Sequence, residues 1–64
     1  MWTKGYSIFV FHSGSVYNAS GIAIDEDINN FFETEDQAWK MLQSLSGLSR
    51  DLVFTILPVM KFVQ

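Results

Sequence analysis

The sequence predicts an α+β fold: one small domain over residues 1–64, of ββαβ order, with an antiparallel sheet in strand order 2-1-3 and one helix packed on one face. Three observations predict it. Tyr6 to His12 and Leu52 to Leu57 are runs of β-branched and aromatic residues, the composition of strands. Thr34 to Gly47 carries the apolar spacing of an amphipathic helix. A right-handed crossover from the second strand through that helix lays the third strand beside the first, antiparallel to it.

Taken in order, Tyr6, Ile8 and Val10 fall on one face of the first strand, and Phe9 and Phe11 on the other. A strand apolar on both faces belongs in the middle of a sheet. Ser13-Gly14 is a hairpin signal, and Val16 to Ile24 resumes in strand-like composition. Asn18, Ser20 and Gly21 interrupt that second strand, which predicts an edge position with a bulge near Gly21. Asp25 to Glu33 reads as an acidic connection, with turn chemistry at Asn29-Asn30 and with Phe31-Phe32 pinning it to the core.

Thr34 and Gln37 form a capping box at the start of the helix, and Glu35 and Asp36 favour the positive end of its dipole. Ala38, Met41, Leu42 and Leu45 make the apolar stripe, and Gly47 is placed to end the helix. A link through Ser49 and Arg50 leads to the third strand, which Pro58 interrupts. Val59 to Val63 is then a continuation past a bulge or a separate edge segment.

A chain of 64 residues buries only about 60% of its unfolded surface. It contains no cysteine, so neither disulfides nor a cysteine-ligated zinc can supplement the core. Heavy apolar packing and oligomerisation remain, and the composition is 48% hydrophobic. One helix covers one sheet face. The other face would expose an apolar patch of several hundred Å², more than monomers usually leave open. An identical subunit is the simplest cover, through Phe9, Phe11, Val53, Leu57, Val59 and Phe62, or by strand addition at Val59 to Val63.

The formal net charge of −3 argues against nonspecific binding to nucleic acid or to an anionic membrane surface. No apolar run has the length of a membrane span, and the first residues lack the pattern of a signal peptide, so a cytoplasmic protein is expected. Aromatic residues on a sheet suggest base stacking, but Lys4, Lys40, Arg50 and Lys61 are scattered and no basic segment accompanies the rings.

Six of the seven acids, Asp25, Glu26, Asp27, Glu33, Glu35 and Asp36, lie between residues 25 and 36 with no base among them. Such a segment either solubilises an apolar domain or steers a basic partner. Asp25, Asp27, Asn29, Phe31, Glu33 and Asp36 match a calcium-loop register, but Asn30 replaces its glycine and Asp36 its bidentate glutamate, so no metal is expected. His12 beside Ser13 and Ser15 lacks an orienting acid, and no phosphate-binding loop is present. Neither catalysis nor a cofactor is expected.

Phe32 to Trp39 resembles the strand-to-helix entry of many small bacterial and bacteriophage proteins. The resemblance implies a compact accessory protein acting on another protein, as mobile elements encode. The function expected is a non-enzymatic, homodimeric binding or inhibitor protein. Its acidic loop, with Trp39 on the adjoining helix, meets a basic surface of a larger protein such as a host enzyme or defence complex. The alternative is a dimeric sensor or sequestering protein with a small-ligand pocket between subunits, for which Arg50 and Lys61 would supply the charge toward a nucleotide-like anion.

Overall fold

A computed structural model describes residues 1–45 and 52–64. Strands β1 (Trp2–His12), β2 (Ser15–Asn18) and β3 (Val53–Phe62) form one antiparallel sheet in the order β2-β1-β3, and helix α1 (Glu35–Leu45) packs on one face. This is the predicted α+β architecture. Gly47, Ser49 and Arg50, read above as helix stop and link, lie outside the described residues.

The hairpin follows from two residues. Ser13 and Gly14 adopt φ of 52° and 80°, and two successive left-handed residues make the two-residue turn whose twist matches that of the flanking strands. The second strand is shorter than the sequence suggested. It stops at Asn18, and Gly21 occupies a tight turn where a bulge was expected. The Ala19 carbonyl accepts from the N–H groups of Ile22, Ala23 and Ile24, the Gly21 N–H donates to the Ile24 carbonyl at 2.7 Å, and Gly21 takes φ 83°. Folding back here brings both Ala19 and Ile24 into the core, which a straight strand could not do.

The third strand differs in the opposite sense. Its register with β1 is unbroken from Trp2↔Phe62 to Phe11↔Val53, so Pro58 neither ends it nor bulges it. Hydrogen-bond phase explains this. Tyr6, opposite Pro58, bonds through both N–H and C=O to Phe32 on its other side, at 2.8 Å each. Its polar groups therefore point away from β3, and the Pro58 nitrogen, in the matching phase, points outward to the bare edge. No ladder bond is lost.

Even-numbered residues of β1 turn one face toward α1. Ile8 and Val10 are fully buried there with Ala19, Ile24, Ala38 and Leu45, and Tyr6, Phe32, Met41, Leu42, Leu52, Phe54 and Ile56 pack around them. The ribbon of β1 and β3 runs past this core, so the molecule measures 37 × 24 × 20 Å. Its radius of gyration is 11.7 Å, against about 10.7 Å for a compact chain of this length.

Candidate functional site

The acidic connection is built on a scaffold that its composition conceals. Asp25 Oδ1 accepts the Asp27 N–H at 3.0 Å and the Asp25 carbonyl accepts the Ile28 N–H at 2.9 Å, closing a turn that presents Asp25, Glu26 and Asp27 to solvent. Asn30 then enters the sheet. Its side-chain amide acts as a peptide unit opposite Ile8: Oδ1 accepts the Ile8 N–H and Nδ2 donates to the Ile8 carbonyl, both at 2.9 Å. Nδ2 also donates to Asn18 Oδ1 at 3.0 Å, and the Ser7 hydroxyl donates to the Asn30 carbonyl at 2.6 Å. Two residues on, Phe32 pairs with Tyr6. The connection is thus held to the central strand at two successive points.

Beyond Phe32 the chain turns into the helix through the expected cap. Thr34 Oγ1 accepts the Gln37 N–H at 3.3 Å, while Gln37 Oε1 accepts the N–H of Glu33, at 3.1 Å, one residue before the cap. Glu33, Glu35 and Asp36 are all exposed around this helix start. The six carboxylates therefore form two exposed groups flanking an anchored segment. Trp39, one position from the buried stripe, is 47% exposed on the same helix. Sequence reasoning took Asn30 for a turn residue; its pairing with Ile8 depends on strand neighbours that no local pattern reveals.

The second surface is the sheet face opposite α1. Strand parity places Phe9, Phe11, Val16, Val53, Leu57 and Val59 on it together. Phe11, Val16, Val53 and Leu57 are exposed, while Phe9 and Val59 are half-buried. Phe62 has the other parity. It meets Trp2 edge-to-face at 5.3 Å between ring centroids, on the helix side of the sheet and past its core. At the Gly5 end the uncovered face is closed by the Phe31 ring, with the Lys61 ammonium 5.2 Å from its centroid. Gly5 is required there: a Cβ would collide with the Phe31 ring and lie 2.7 Å from the Phe32 carbonyl oxygen.

Two concavities accompany these surfaces. Gly21 to Asp27 rim an open hollow of about 440 Å³, and Val10, His12, Tyr17, Ile22 and Leu52 line an apolar one of about 300 Å³ near the hairpin. His12 and Ser15 are backbone partners at the hairpin end, and no side-chain hydrogen bond joins His12 to Ser13 or Ser15. Among the described residues, no group of three or more acidic or histidine side chains is set to hold a metal, and no helix is long and apolar enough to cross a membrane. Of the two cations considered for an anionic ligand, Lys61 stands over Phe31 and Arg50 lies outside the described residues. No protein family matches the chain, and no curated protein or solved structure is significantly similar to it.

Proposed function

We propose that this chain is a non-enzymatic binding protein that self-associates through its uncovered sheet face and presents its acidic connection to a basic surface on a larger protein. An inhibitor of a host enzyme or defence complex is the concrete form of that reading. The observation that carries it is the anchoring of the acidic segment: six exposed carboxylates flank two attachment points on β1, Asn30 to Ile8 and Phe32 to Tyr6. Acids that only solubilise have no need of a fixed frame. Acids that recognise a surface gain from one, because less freedom is lost on binding. Their field would speed encounter with a basic partner and weaken over a Debye length of about 8 Å in physiological salt.

Self-association draws support from the exposed area. Phe11, Val16, Val53 and Leu57 are all exposed on the one sheet face that α1 does not cover, a contiguous apolar surface of the kind a second copy would bury.

The test is affinity capture from source cells with the wild-type chain and with the Asp25→Lys, Glu26→Lys, Asp27→Lys chain, followed by titration of the purified captured protein. Binding should fall at least tenfold in the reversed chain and weaken with salt in the wild type. Direct binding that survives the reversal would refute the acidic site.

A further inference from the structure

Among the described residues the sheet has one long bare edge, and its two halves are not alike. Odd-numbered residues of β3 face β1 with their polar backbone groups, as the Met1–Val63 pair at the open end shows, so even-numbered residues point theirs outward. The outward N–H donors are those of Phe54, Ile56, Met60 and Phe62, because Pro58 has none. Pro58 therefore divides the edge into Val53–Leu57 and Val59–Phe62. The second half is guarded further: an antiparallel self-pairing there that avoids Pro58 centres on Lys61 and sets two like charges opposite each other.

The first half carries neither obstacle. We propose that Val53–Leu57 pairs antiparallel with the same segment of a second copy about a two-fold axis at Thr55, a contact separate from the face-packed one proposed above. That register exchanges four backbone hydrogen bonds, between Phe54 and Ile56 of each copy and Ile56 and Phe54 of the other. It sets Thr55 against Thr55, and Val53 against Leu57, on the uncovered face, and Phe54 against Ile56 on the helix face. Every pair is β-branched or apolar, and no charge opposes a charge. The result is a six-stranded sheet, β2-β1-β3-β3-β1-β2. Combined with face packing, it closes four chains with two-fold symmetry throughout. The opposite margin of the sheet offers no comparable edge, since β2 has four residues and the segment around Asn30 and Phe32 occupies β1 beyond it.

Amide hydrogen exchange on the full chain, at low and high protein concentration, tests this contact alone. The Phe54 and Ile56 amides should slow by roughly tenfold or more as concentration rises, with Met60 and Phe62 fast throughout as controls on the same edge. A synthetic chain with N-methyl-Ile56 lacks one outward donor and keeps the β1 ladder. In that chain the Phe54 protection should vanish and the mass halve. An associated species in which all four amides exchange fast would overturn the edge contact while leaving face packing intact. Equal protection of all four would overturn the register. A chain that stays a monomer would overturn both contacts.

Discussion

Ser13 adopts φ 52°, a left-handed conformation that costs a residue with a Cβ about 1–2 kcal/mol and that asparagine tolerates best. Ser13→Asn should therefore raise the stability of the hairpin by about 0.5–1 kcal/mol, read as a higher urea midpoint at unchanged slope. Asn30 and Asn29 offer a sharper contrast. Asn30→Ala removes the acceptor for the Ile8 N–H and the donor to its carbonyl, and should cost about 2–3 kcal/mol. Asn29→Ala, on an exposed neighbour, should stay within about 0.5 kcal/mol of wild type. Equal effects would show that the amide pairing does not hold the connection. Sequence reasoning reached Ser13-Gly14 because a two-residue turn is written in its own residues. It misread Asn30 because the partner, Ile8, stands 22 positions away.

At the scale of elements, legibility follows the same line. The helix start was readable, since Thr34, Gln37, Glu35 and Asp36 act on backbone groups within one turn. Thr34→Ala should cost about 1 kcal/mol of stability, measurable by the same denaturation. The strand ends were not readable. Whether Pro58 breaks β3 depends on which backbone groups of Tyr6 face which neighbour, and Phe32 decides that from across the sheet. Likewise Gly21 ends β2 because Ile24 must return to the core, a demand of packing and not of propensity. The candidate site was half legible in consequence: the acids and the apolar face stood out in composition, and the frame that holds the acids did not.

For the whole molecule, the decisive feature is a sheet with a helix on one side only. Phe11, Val16, Val53 and Leu57 stay open to water in a chain already short of core, and covering them with a second copy removes a cost that a monomer would bear. Phe11→Asp should abolish that contact without disturbing the helix-side core, because Phe11 has the parity opposite to Ile8 and Val10. Reversing Asp25, Glu26 and Asp27 should leave self-association unchanged, since none of these acids belongs to the strands that form the uncovered face. The most direct measurement is sedimentation equilibrium of the wild-type and Phe11→Asp chains over a wide concentration range, at low and high salt, with circular dichroism to establish that both are folded. The wild-type mass should be at least two chains at both salt concentrations, and a folded Phe11→Asp chain should have no more than half that mass. A folded wild-type chain that sediments as a single copy across the range would contradict self-association.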